Sequence, residues 1–116
     1  MLWHAALGPT FRKAQPVRSF LYAQIAGTNA PLPTELREQL GRLSTPVDRF
    51  AATRVPVLFL TSDEDGLIWP ELSETVHHAV PGSDFVRVEA AGHSTYFERP
   101  DVFNREIGAF LKAHRP

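Results

Sequence analysis

Val55-Pro56-Val57-Leu58-Phe59-Leu60-Thr61-Ser62-Asp63-Glu64-Asp65-Gly66-Leu67-Ile68-Trp69-Pro70 is the stretch that decides the fold. Residues 55–61 read as a strand, with Pro56 tolerated near its start. The run is apolar without alternation, so both its faces need burying, as in a parallel sheet covered by helices. A polar turn, Ser62-Asp63-Glu64-Asp65-Gly66, follows it. Residues 70–80 then read as a helix that places Leu72, Val76, Ala79 and Val80 inward, and Pro81-Gly82 stops it. Residues 85–89 form the next strand. After Ala90-Ala91-Gly92-His93, a last helix spans 100–113 with Phe103, Ile107, Phe110 and Leu111 on one face. The order strand, helix, strand, helix makes one right-handed crossover unit with a covering helix. Two parallel strands are too few to stand alone in water. The expectation is an α/β sheet completed from elsewhere, by a missing N-terminal half or by a second copy of the chain.

Upstream, the texture changes to short helices broken by prolines. Residues 16–26 read as a helix with Pro16 in its first turn, Val17, Phe20, Leu21 and Ile25 on one face, and Gly27 to end it. A second helix spans 33–43 with Leu36, Leu40 and Leu43 in one stripe. A third follows Ser44-Thr45-Pro46 and carries Val47 and Phe50. None has a core of its own, so each must lie on something. Charge divides the chain at the same place. Residues 1–50 carry Arg12, Lys13, Arg18, Arg37, Arg42 and Arg49 against Glu35, Glu38 and Asp48, while the remainder is acidic on balance. The organisation expected is a helical, lid-like segment over 1–44 and a strand-helix-strand-helix unit over 45–116.

Composition narrows the class. At 116 residues the chain holds at most one small domain. With 43% hydrophobic and 22% charged residues it has ordinary globular usage, which argues against disorder. A formal net charge of −1 offers nothing to a phosphate backbone or an anionic membrane, so neither nucleic acid nor membrane is an expected partner. The absence of cysteine excludes a disulfide scaffold, a thiolate metal site and a cysteine nucleophile. The purest apolar run, residues 57–60, is far short of the roughly 20 needed to span a bilayer. Residues 1–7 lack a basic region and break at Gly8-Pro9, unlike a secretory signal. A cytoplasmic location is the resulting expectation.

In an open parallel sheet, chemistry gathers just beyond the carboxyl ends of the strands. Asp63, Glu64 and Asp65 follow the first strand, and His93 follows the second. Adjacent strands lie about 4.8 Å apart, so these loops can bring a carboxylate against an imidazole. A histidine held at one nitrogen by a carboxylate is fixed in tautomer and orientation, and its other nitrogen becomes an effective general base. By spacing alone a single histidine after glycine is more often structural or merely exposed.

The wording of the sequence goes further. The stretch 55–70, together with Ala91-Gly92-His93-Ser94, Phe97-Glu98-Arg99-Pro100 and Phe103-Asn104, resembles the acid turn, histidine loop and final helix of the α/β-hydrolase family. The likeness runs from about Thr45 onward and rests on these motifs in combination. It implies a partial α/β-hydrolase fold, namely its last two parallel strands with covering helices, preceded by lid-like short helices. By position it implies Asp65 as the triad acid and His93 as the triad base, with Ile68 and Trp69 as candidate substrate-binding residues. Asp63 and Glu64 fall at variable family positions and read as solvated turn residues. Glu98 reads as a carboxylate tying down loop backbone, and Pro100 as the start of the last helix. Ser62 departs from the glycine common at its place. The resemblance implies hydrolysis of a small ester-like or related substrate, with no metal or organic cofactor. It also admits diketone-like carbon–carbon bonds, epoxides and carbon–halogen bonds.

The larger departure is the nucleophile. The family places it upstream on a G-x-S-x-G elbow. None of Ser19, Ser44, Ser62, Ser73, Ser83 or Ser94 has glycines two residues to either side. The chain is expected to supply two members of a triad, as the C-terminal portion of a hydrolase. The alternative expectation is a non-catalytic chain that assembles through its open sheet edge. Other sites fail on spacing. Asp63-Glu64-Asp65-Gly66 echoes part of a calcium loop, but that loop's first position would be Thr61 and its twelfth Leu72. His77 and His78 are adjacent rather than four apart, and read as exposed helix residues, not zinc ligands. Trp3, Phe11 and Tyr22 read either as a lid's substrate-facing lining or as packing between helices.

Overall fold

The computed structural model describes residues 4–115. Its elements are α1 (Pro9–Ala14), α2 (Pro16–Gly27), α3 (Thr34–Arg42), α4 (Val47–Ala51), β1 (Leu58–Ser62), α5 (Pro70–Ala79), β2 (Asp84–Val88), α6 (Thr95–Glu98) and α7 (Pro100–Ala113). The strands pair in parallel, Leu58 opposite Asp84 through Ser62 opposite Val88. The crossover helix α5 connects them.

Local chemistry explains where the elements begin. Four helices, α1, α2, α5 and α7, have proline in the first turn, where a missing N–H costs nothing. β1 starts at Leu58 rather than Val55. The Pro56 nitrogen has no hydrogen to donate, and of this approach segment the Val57 carbonyl accepts from the Asp84 amide at 2.9 Å. β2 is shifted one residue upstream of the expected 85–89, and α7 spans the expected residues. Two helices have no counterpart in the sequence reading. α1 is six residues long and α6 four, too short to show an apolar period.

The packed core is small and sits beneath the carboxyl end of β2. Val88, Ala91 and Val102 form it, with Leu60 and Val86 packed against them. Ala6, Leu7 and Phe11 are also buried, so the residues before and within α1 are built into the molecule. Phe11 meets Phe97 edge-to-face at 6.0 Å, and Tyr22 meets Phe97 at 5.0 Å, so both serve as packing. Trp3 lies outside the described residues.

Much of the expected burial is not satisfied within the chain. Val17, Phe20, Leu21 and Ile25 of α2 are exposed, as are Leu36, Leu40, Leu43, Val47 and Phe50. The helices α3 and α4 bury none of their residues. Leu72, expected to point inward, is exposed, and so is Leu111 of α7. Residues 58–60 of β1 are only half-buried, although their composition suits a strand covered on both faces. Conversely, His77 is half-buried, not exposed. Its ring stacks on Phe85 at 5.1 Å and its Nδ1 hydrogen-bonds with the Ser83 hydroxyl at 2.7 Å. Among the described residues, no helix is long and apolar enough to cross a membrane.

Candidate active site

The turn after β1 and the loop after β2 are laced together by backbone hydrogen bonds. The Asp63 amide donates to the Val88 carbonyl at 3.0 Å, and the Glu64 amide to the Ala91 carbonyl at 2.9 Å. Ser62 is buried, and its hydroxyl bonds to that of Thr95 in the loop that carries His93. Ala90 adopts φ of 53°, a left-handed conformation that turns the chain out of β2. These contacts fix the two loops as one unit at the carboxyl edge of the sheet.

Asp65 and His93 meet on that unit, His93 Nδ1 lying 2.9 Å from Asp65 Oδ2. The other carboxylate oxygen, Oδ1, accepts from the Leu67 and Ile68 amides, each at 2.9 Å. Both oxygens of the acid are thus engaged, and its side chain is 8% exposed against 39% for His93. An ionised acceptor at Nδ1 holds the proton there and leaves Nε2 with its lone pair. Among the described residues, Nε2 has no hydrogen-bond partner. The acid is buried and clamped; the imidazole is reachable.

The neighbouring carboxylates have other work. Asp63 pairs with Arg87, and Glu64 accepts from the backbone amide of Thr10 at 2.9 Å and from its hydroxyl. Neither is merely a solvated turn residue. Glu98 is 4% exposed, and its Oε2 accepts from Gly8 N at 3.1 Å and Gly92 N at 3.0 Å. Burial pushes its carboxyl above the ordinary value, against the opposing pull of those two amides. Tyr22 hydrogen-bonds with Ser94 Oγ at 2.6 Å, and burial raises its phenol above the ordinary value. Arg18 lies over the rings of Phe11 and Phe97 and donates to the Phe97 carbonyl at 2.6 Å, docking α2 on the histidine loop.

Of the remaining candidates, Ile68 contributes its amide to Asp65, while its side chain and that of Trp69 are exposed just before α5. Among the described residues, no three His, Asp or Glu side chains gather as a metal cage. A groove lined by Leu58, Asp84, Phe85, Glu106, Phe110 and Ala113 lies toward the amino ends of the strands, away from His93. Sequence reasoning missed that residues 6–8 approach the histidine loop. Gly8-Pro9 carries a turn signal and nothing that points to a partner 90 residues away.

A model described as the alpha/beta hydrolase family matches residues 2–106. The chain belongs to the α/β-hydrolase family. Its two-stranded parallel sheet with helices is a part of the α/β-hydrolase fold. Among solved structures, a thermophilic esterase from Thermogutta terrifontis is 30% identical over 58% of this chain and 25% of its own, with a TM-score of 0.56. An N-acyl homoserine lactone degrading enzyme is 17% identical over 91% of this chain and 43% of its own, at a TM-score of 0.73. MGS-M2, an α/β-hydrolase enzyme from a deep-sea metagenome library, is 19% identical over 97% of this chain and 42% of its own, also at 0.73. The latter two likenesses concern the fold alone. This α/β-hydrolase chain spans less than half the length of each of these structures. No curated protein matches it.

Proposed function

We propose that this chain supplies the acid and the base of a nucleophile–His–Asp triad in an α/β-hydrolase acting on a small ester-like substrate. The observation that carries the reading is the Asp65–His93 contact, with Oδ1 clamped by two amides and Nε2 unpaired among the described residues. Asp65 holds the proton on Nδ1. Nε2 then accepts the proton of a hydroxyl nucleophile as its oxygen attacks the substrate carbonyl, and returns it to the leaving alkoxide. Water repeats the cycle on the acyl intermediate. The hydroxyl nucleophile and the oxyanion donors come from polypeptide outside this sequence, which has no G-x-S-x-G elbow.

The partner expected is an N-terminal half carrying such an elbow. Supplying that half from a related hydrolase, by co-expression, is expected to give hydrolysis of a simple aryl ester. His93→Ala in the same assembly is expected to abolish it. Full activity in that variant overturns the assignment.

A second reading is favoured by the exposed apolar face of α2, the exposed leucines of α3 and the half-covered β1. In it the chain is non-catalytic and assembles with a second copy through its sheet edge, where unpaired strand backbone is a ready template. Mass measurement in solution separates the two. A stable dimer supports assembly, and a well-folded monomer that binds no hydrophobic dye counts against it.

A further inference from the structure

His93 is bracketed in sequence by two residues whose amides are both tied to the same distant segment. On one side, the Ser94 amide donates to the Ala6 carbonyl at 3.0 Å. On the other, the Gly92 amide donates at 3.0 Å to Glu98 Oε2, the oxygen that also takes the Gly8 amide at 3.1 Å. Between these ties the backbones lie flush. A Cβ on Gly92 would stand 2.3 Å from the Gly8 nitrogen, and one on Gly8 would stand 2.8 Å from the Gly92 nitrogen. Leu7, 2% exposed, locks the segment into the interior.

The His93 side chain is 39% exposed, and among the described residues its one ring hydrogen bond is the contact to Asp65. Where residues 92–94 hold the backbone therefore helps to decide whether that contact forms. A shift of about 1 Å at residues 92–94 would open the 2.9 Å contact to Asp65 Oδ2. Among the described residues Glu98 Oε1 is buried without a hydrogen-bond partner, so the carboxylate's hydrogen bonds converge on Oε2.

We propose that Glu98, with the strap of residues 6–8 that it holds, is a positioning element for His93. It acts through the Gly92 amide and touches no reacting atom. Its catalytic meaning rests on the reading of His93 as the base, whereas its geometric content does not.

The test uses the full chain, 15N-labelled at histidine, and reads the ratio of the Nδ1–H to the Nε2–H tautomer of His93 by NMR above the imidazole titration. The unaltered protein is expected to hold the Nδ1–H form. Glu98→Ala is expected to lower the ratio about tenfold, the worth of one charge-assisted hydrogen bond. Glu98→Gln, whose amide oxygen can still accept from both backbone amides, is expected to keep it. Glu98→Asp, one methylene too short to serve both amides, is expected to lower the ratio and decides the matter if the alanine variant does not fold. Folded Glu98→Asp with an unchanged ratio overturns the positioning role and leaves the Asp65–His93 pair intact. An unaltered protein already in the Nε2–H form overturns both.

Discussion

At the scale of single residues, three carboxylates leave one turn and each has a different fate. Asp65 is clamped by two amides and faces the imidazole, Asp63 pairs with Arg87 at the surface, and Glu64 ties down Thr10. Asp65 is the acid of the proposed triad, and its clamped, largely buried side chain is the observation in favour of that reading. Burial couples the ionisation of Glu98 to stability. Its folded-state carboxyl is raised by burial, so the folded protein binds that proton more tightly than the unfolded chain. Its contribution to stability is fully present below the ordinary carboxylate range and is lost as pH rises through the raised value. Glu98→Gln is therefore expected to flatten the fall in stability across that window, as read by urea unfolding at a series of pH values. A variant with the same pH slope as the unaltered protein contradicts this account.

At the scale of elements, the strands, the crossover helix and α7 were legible because apolar runs and proline-opened helices carry their own signals. The resemblance likewise pointed to the meeting of Asp65 and His93, since parallel strands deliver their exit loops to one edge. The N-terminal strap was not legible. Its contacts are backbone to backbone and backbone to Glu98, and nothing in Ala6-Leu7-Gly8 marks their destination. Leu72 was misjudged for another reason: an amphipathic pattern states which face is apolar, not whether this chain contains what covers it. The strap makes a sharp prediction of its own. Gly92→Ala places a Cβ against backbone of residues 7–8 that cannot rotate away. The expected loss is about 1–3 kcal/mol of stability, the range for overpacking, measured by thermal or urea unfolding. An unchanged midpoint contradicts the close approach of the two backbones.

At the scale of the whole molecule, the structure is a candidate active-site corner, tightly knit, on a fold left open elsewhere. The carboxyl edge of the sheet is knit by hydrogen bonds, while α2, α3, α4 and Val55 ahead of β1 leave apolar side chains in water. Such an asymmetry suits a chain that meets further sheet and helix, in keeping with solved α/β-hydrolases more than twice its length. The central claim is that Asp65 orients His93 for catalysis within that larger assembly. Its most direct test is turnover of an aryl ester by the chain assembled with an elbow-bearing N-terminal half, comparing two substitutions in the same turn. Asp65→Asn is expected to lower kcat by about 10⁴-fold by placing the imidazole in the wrong tautomer. Asp63→Asn, which removes only an exposed ion pair, is expected to leave kcat unchanged and stability within about 0.5 kcal/mol. The reverse result, a crippled Asp63→Asn beside a nearly silent Asp65→Asn, would contradict the account.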